Sequence, residues 1–221
     1  MLHPPNLPSA ELLARYAPLA PVESASPLRL HLAADVFALW EAWERETNAV
    51  QPVPYWAVPW PAAVVLCRVL LANPAYVHGK RVLDLGCGGA AAGLAAARAG
   101  AAQVTANDID PVALHLAHCN AQANGLSLTL DPNDLTQPGA ELPAEVVLVG
   151  DLFYEREPAR RLLLTLRAWV ERGVLVLVAD AGRPFAPQAG VEPVAVATVT
   201  VNPDLEGVPT RTVRLLRLLA V

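Results

Sequence analysis

Lysine is almost missing from this chain. Lys80 is the single lysine among 16 basic residues, set against 21 acidic ones in 221 residues. With a net charge of −5 and so few cations, no basic patch can neutralise a run of phosphates, which sets aside DNA and RNA as first partners. Cysteine is scarce too. Cys67, Cys87 and Cys119 lie far apart, are odd in number and form no C-x-x-C pair. Neither a disulfide framework nor a metal site is expected from them, and a reducing compartment is. No run of about 18 apolar residues is free of charge and proline. The opening MLHPPNLPSAELLARYAP lacks the basic-then-apolar order of a secretory leader. A soluble, cytoplasmic protein that engages no membrane is the expectation.

Apolar bulk is what the chain does have, at 54% hydrophobic, enough for one ordinary globular core. SAELLARYAPL predicts a short helix capped by Ser9, LRLHLA (28–33) a strand, and DVFALWEAWERETN (35–48) a helix capped by Asp35. Segment 49–61 carries four prolines and two tryptophans and is expected to be a loop. After Pro61 apolar strands alternate with helices. Strands are predicted at 81–85, 103–108, 128–130, 145–151 and 174–180, with helices after Pro61 and over 90–100, 110–125 and 157–173. Strands that are apolar throughout fit a parallel sheet covered on both faces. Two further strands, 192–201 and 210–220, follow one another across the turn-rich NPDLEGVP and predict an antiparallel hairpin at one edge.

The stretch VLDLGCGGAAAG (82–93) is a strand, a glycine turn and the start of a helix. Gly86 and Gly88 allow a ligand to approach the backbone, and the small residues after them keep the helix slim. A dinucleotide fingerprint would need G-x-G-x-x-G with a pyrophosphate at the helix start. Here the sixth position is Ala91, and Asp84, two residues before Gly86, would repel that pyrophosphate. A carboxylate there suits a ligand with a cationic amine and no phosphate, as in S-adenosylmethionine. Asp108, closing VTAND, stands 24 residues after Asp84 and can accept ribose hydroxyls.

LDLGCGGA resembles the first motif, D/E-x-G-x-G-x-G, of class I S-adenosylmethionine-dependent methyltransferases. Asp84, Gly86 and Gly88 match it, and Ala90 stands where the third glycine would be. The resemblance implies a Rossmann-like α/β fold with a mostly parallel seven-stranded sheet, an antiparallel C-terminal hairpin and helices on both faces. It implies Asp108 for the ribose and Asp134, in PNDLT, for the adenine amino group. GDLFYE (150–155) carries a D-x-x-Y pattern similar to that of protein lysine methyltransferases, which implies that Asp151 and Tyr154 hold the target amine. VPYWAVPWP resembles a PYWA-x-x-WPGG segment of the electron transfer flavoprotein β-subunit lysine methyltransferase family, and implies Trp60 at the cofactor pocket. VLVADAGRP resembles another segment of that family, with Ala181 where a proline is usual. Together these similarities run from about residue 28 onward. They imply residues 1–60 as an N-terminal extension on the cofactor and substrate edge and 61–221 as the methyltransferase domain. The implied partner is a protein, with the flavoprotein β subunit as the first substrate expected.

Other readings stay open at this point. A ribosomal-protein or small-amine methyltransferase, a non-catalytic binding module and a dinucleotide oxidoreductase each account for part of the pattern. His115 and His118 share a helix face without further ligands nearby. Cys87 sits in the glycine turn without an evident base partner. Trp40, Trp43 and Trp169 fall at helical spacing and are expected in the core.

Overall fold

The computed structural model describes residues 6–23, 26–137 and 144–220. The chain opens with α1 (Ala10–Tyr16), β1 (Leu19–Pro21), β2 (Arg29–His31) and α2 (Val36–Thr47). It continues through α3 (Pro61–Ala72), β3 (Arg81–Leu85), α4 (Ala91–Arg98), β4 (Gln103–Asn107), α5 (Pro111–Ala123) and β5 (Thr129–Asp131). Then come β6 (Val146–Gly150), α6 (Arg156–Glu171), β7 (Leu175–Asp180), β8 (Val191–Thr200), the one-turn α7 (Pro203–Glu206) and β9 (Thr210–Leu218). Ser9 and Asp35 cap α1 and α2 through their side chains, as their position before an apolar run predicts.

Seven strands form one sheet in the order β5-β4-β3-β6-β7-β9-β8. The first five strands of that sheet run parallel, and β9 lies antiparallel to both β7 and β8. This is the mostly parallel sheet with an antiparallel C-terminal hairpin that the sequence predicts. From β3 the chain winds outward to β4 and β5, then returns to β6 on the other side of β3. That reversal opens a crevice at the carboxyl ends of β3 and β6, where open α/β sheets bind their ligands.

Alternation along β3 shows how the two faces are filled. Val82 joins the core beneath α3 and α4, with Val104, Leu148, Leu177 and Ala179. Leu83 and Leu85 turn the other way, onto Leu162, Leu166 and Trp169 of α6. Asp84 shares the α4 face with Val82, a carboxylate placed where a strand residue would ordinarily be apolar.

The segment before Pro61 packs on α5. Trp43 and Trp56 meet edge to face with centroids 5.7 Å apart, among Leu39, Val112 and Leu116. Asn120 of α5, fully buried, accepts the His31 N–H at 2.8 Å. Two features went unforeseen. β1 pairs with β2 as a separate two-stranded sheet, and three residues are too short to show a period of two. The loop at 202–209 closes on α7, because the Asn202 side chain accepts the Asp204 N–H and Pro203 opens the turn.

Candidate active site

The glycine turn follows β3 and is held from three sides. Cys87 N–H donates to the Asn107 carbonyl at the end of β4. The Gly88 N–H donates to Asp108 Oδ2 at 2.9 Å, which joins the first glycine motif to the acid after β4. Asn120 Nδ2 donates to the Gly89 carbonyl at 2.9 Å. Gly86 and Gly88 take φ of +64° and +51°, a conformation that disfavours a side chain. At Gly86 a Cβ would also stand 2.7 Å from Leu152 Cδ1, so this turn and the loop after β6 are in contact. Ala90, at the third glycine position of the motif, adopts φ +60° despite its methyl, at a cost of about 1–2 kcal/mol. That methyl packs with Ala106 and Ala117, which offsets part of the strain.

Asp84 is buried beneath α4, and its Oδ2 accepts the Gly93 N–H at 2.7 Å. Among the described residues no donor reaches its Oδ1. Burial pushes this carboxyl up to about 7, opposed by the Gly93 N–H and reinforced by the charge of Asp108. Asp108 is raised as well, chiefly by burial, against the N–H groups of Asp110 and Gly88. Its Oδ1 accepts the Asp110 N–H at 3.0 Å, so each oxygen has one donor and a lone pair to spare. Asp110 turns away to cap α5.

The structure places the expected residues unevenly around this turn. Asp134 is exposed and spends its carboxylate on its own turn. It accepts from Thr136 N and Oγ1 and from Gln137 Nε2, and these bonds hold it below the usual carboxylate range. Trp60 Nε1 donates to the Tyr55 carbonyl at 3.0 Å, and the two rings lie 5.6 Å apart. It is Trp56 whose backbone lies over the turn, with its Cα 3.9 Å from where a Gly88 side chain would begin. Phe153 is core, whereas Tyr154 is 58% exposed. Partial burial of the phenol, then the charges of Glu155 and Asp108, keep the Tyr154 hydroxyl above the ordinary tyrosine value. Tyr55 and Trp60 form a tilted aromatic pair just before α3, with Tyr55 exposed and Trp60 half-buried, and Tyr154 is exposed in the loop after β6.

Asp151 is the most heavily engaged of the expected residues. It takes φ +53° and is buried. Its Oδ2 accepts Ala62 N–H at 3.1 Å, capping α3 from 89 residues away. Trp60, the local cap residue, makes no such bond. Oδ1 accepts the Ala181 N–H at 2.9 Å and Arg183 Nε at 3.1 Å. Asp180 accepts the N–H groups of Gly182 and Arg183 and so sets the loop that presents Arg183. The expectation placed Asp151 at the acceptor amine. In the structure its hydrogen bonds tie α3 to the loop after β7.

Asn107, Asn120 and Arg183 complete the site; Asn107 and Arg183 lay in stretches singled out from the sequence, and Asn120 did not. Asn107 Nδ2 donates to the carbonyls of Asp131 and Asn133, which anchors the loop of Asp134 to β4. A polar residue at a core-facing helical position, four after Leu116, was the available signal for Asn120.

A reversed parallel sheet, a glycine turn at its switch point and acids near the end of β3 and just after β4 define the class I S-adenosylmethionine-dependent methyltransferase fold. The 16S rRNA N2 G1207 methyltransferase of T. Thermophilus, solved with AdoMet and guanosine, superposes with a TM-score of 0.53 at 20% identity, covering 72% of this chain and 43% of that one. PH1948 of Pyrococcus horikoshii, described as a candidate RNA methyltransferase, gives a TM-score of 0.58 at 18% identity over 77% of this chain and 90% of its own. At such identities these establish the fold.

Within that class the chain resembles the electron transfer flavoprotein β-subunit lysine methyltransferases. The Mus musculus protein of that name is 42% identical over 146 residues, 64% of this chain and 56% of its own. The Xenopus laevis protein is 45% identical over 132 residues, 59% and 53% respectively. The chain thus spans about half the length of the curated relatives it matches. The family model for ribosomal protein L11 methyltransferase (PrmA) matches residues 65–150. The protein of that name from Dichelobacter nodosus is 47% identical over 110 residues, covering 50% of this chain and 34% of its own.

Proposed function

We propose that this protein is an S-adenosylmethionine-dependent protein lysine N-methyltransferase and that its substrate is the β subunit of electron transfer flavoprotein. The observation that carries the reading is that the Tyr55–Trp60 pair, just before α3, is joined by the Asp151–Ala62 bond to the loop after β6, which carries the exposed Tyr154 and lies against the glycine turn at Leu152. Aromatic faces and carboxylates attract an ammonium group. Relatives named for that substrate are 42% and 45% identical to the chain over 146 and 132 residues. The cysteine usage supports a cytoplasmic setting, and no helix of the described residues is long and apolar enough to cross a membrane.

The residues present fit S-adenosylmethionine. The pocket floor offers carboxylates and main-chain N–H groups, with one oxygen of Asp84 lacking a protein donor. A ligand with an ammonium and a ribose, and without phosphate, suits that set. Asp84 would hold the amino group, Asp108 the ribose hydroxyls, and the backbone of Gly86 and Gly88 the space between. Thr136 holds Oδ1 of Asp134, while Oδ2 meets the exposed Gln137 side chain and is the oxygen that would serve the adenine. When bound, the cofactor supplies an electrophilic methyl on a sulfonium.

The chain's own part is to deliver a neutral amine in line with that methyl. Tyr154 is protonated at neutral pH, so its hydroxyl orients the amine rather than taking its proton. Tyr55 and Tyr154 are exposed, so the proton can leave to water. Asp151 joins α3 to Arg183 and to the loop after β7, and its Oδ2, with the Ala62 N–H as single donor, keeps a lone pair that can face the amine.

The L11 methyltransferase match favours a second acceptor, a ribosomal protein. It ends at Gly150, before Asp151 and Tyr154, and so speaks for the cofactor half alone. Labelling decides between them. Purified protein and radiolabelled S-adenosylmethionine are incubated with the flavoprotein and, separately, with ribosomes. Label on a β-subunit lysine is the expected result; label on a ribosomal protein alone transfers the assignment to the second acceptor, and label on neither removes both.

A further inference from the structure

A closed cluster of four charges reaches from the C-terminal hairpin to the acceptor side of the site. Glu206 ends α7, in the turn between β8 and β9, and its side chain is only 4% exposed. Its Oε1 accepts Arg183 Nη2 at 2.7 Å and its Oε2 accepts Arg183 Nη1 at 3.3 Å, a two-pronged contact. Arg211 of β9 closes the other side. Arg211 Nε donates to Oε2 at 2.8 Å and Nη2 donates to the Glu206 carbonyl at 2.7 Å. The remaining donor of Arg183, Nε, is the one that meets Asp151. The face of the same guanidinium lies 5.7 Å from the Trp60 ring.

Each nitrogen of the Arg183 guanidinium therefore has a carboxylate partner. Two carboxylates and two guanidiniums make a neutral set. Burial alone would raise the Glu206 carboxyl, but Arg183 and then Arg211 hold it below the usual range. A buried charge of this kind fixes geometry through partners that fit in one arrangement. The stem of Arg183 is fixed by its own loop, but its guanidinium plane is set by the two prongs on Glu206. That plane in turn aims Nε at Asp151 and keeps the guanidinium over the Trp60 ring.

We propose that Glu206 is a positioning residue for methyl transfer, acting through Arg183 on the Asp151–Trp60 side of the site. This rests on the methyltransferase reading above. Glu206 touches neither cofactor nor acceptor in this scheme. Its charge holds the guanidinium that holds the acceptor wall.

The test is a double-mutant cycle with Glu206→Gln and Arg183→Met, read in two ways. Glu206→Gln keeps the shape and removes the charge. The expected result is a fall in kcat of about tenfold, with KM for S-adenosylmethionine unchanged, because a small misplacement near the reacting atoms is costly. In the Arg183→Met background the same change should have no further effect. The second reading needs no turnover. The Trp60 indole N–H resonance, assigned by Trp60→Phe, should shift on Glu206→Gln and stay put when Arg183 is already replaced by Met. A lower melting temperature with kcat and the Trp60 resonance both unmoved would overturn the proposal, as would additive effects in the cycle. If wild-type protein methylates nothing, the reading under Proposed function fails by itself, and the Trp60 resonance still decides whether the relay exists.

Discussion

Replacing Asp84 by asparagine should stabilise the ligand-free protein and disable it together. The side chain is buried with a single hydrogen bond, from the Gly93 N–H, and its carboxyl is raised from 3.8 to about 7. An acid raised in the folded state binds a proton more tightly there than in the unfolded chain. The stability that this proton contributes is complete below pH 3.8 and is lost as pH climbs through about 7. The gap of about three pH units, at about 1.4 kcal/mol each, comes to about 4 kcal/mol at neutral pH. Asparagine keeps the bond to Gly93 and has no charge to bury. The Asp84→Asn variant should gain on wild type by about 1 kcal/mol per pH unit between pH 5 and 7, then hold a constant lead. Urea denaturation of both proteins across that range measures it, and the difference between them cancels the other carboxylates. The same substitution should remove binding of S-adenosylhomocysteine, which carries the cofactor's amino group. For wild type, that affinity should rise from pH 6 to 8 as the carboxylate forms. A stability difference that stays flat between pH 5 and 7 would refute the raised carboxyl. Unchanged ligand affinity in the variant would refute the role of Asp84 at the amine.

Three more outcomes are open to measurement. Asn120→Ala leaves the half-buried Gly89 carbonyl and His31 N–H without this partner and should cost about 1–3 kcal/mol in chemical denaturation, with wild-type stability counting against the bridge. Asp108→Ala removes the acceptor of the Gly88 N–H and the proposed ribose ligand. Calorimetry should show S-adenosylhomocysteine binding weakened by at least about tenfold, and equal binding would place the ribose elsewhere. Tyr154→Phe should leave that affinity intact and lower kcat for the protein acceptor; a loss of cofactor binding instead would move Tyr154 to the cofactor side.

The sheet was legible because its strands are apolar throughout, and only a core covered on both faces tolerates that. The glycine turn was legible because its residues are contiguous. What escaped depends on neighbours far apart in sequence. Asp151 reads locally as an acid presented after a strand, and only the return of α3 and of the loop after β7 reveals that both its oxygens already accept bonds. Asp134 sits where an adenine ligand is expected, yet Thr136 and Gln137 two and three residues on satisfy it, a pattern that short polar turns share whatever their task. Glu206 sat inside a stretch that looked like turn filler, since a single helical turn has no periodicity to display.

The place of β9 bears on when the protein becomes able to work. Thr210–Leu218 is the latest strand in sequence, but it lies inside the sheet, between β7 and β8, and brings Arg211 to Glu206. A chain still emerging from the ribosome can form the turn after β3 and its parallel neighbours long before these residues exist. The acceptor wall cannot be locked until they arrive. The glycine turn is thus complete in the emerging chain before the Glu206–Arg211 contact can exist, and on the proposed relay the setting of Arg183 is the last step of assembly.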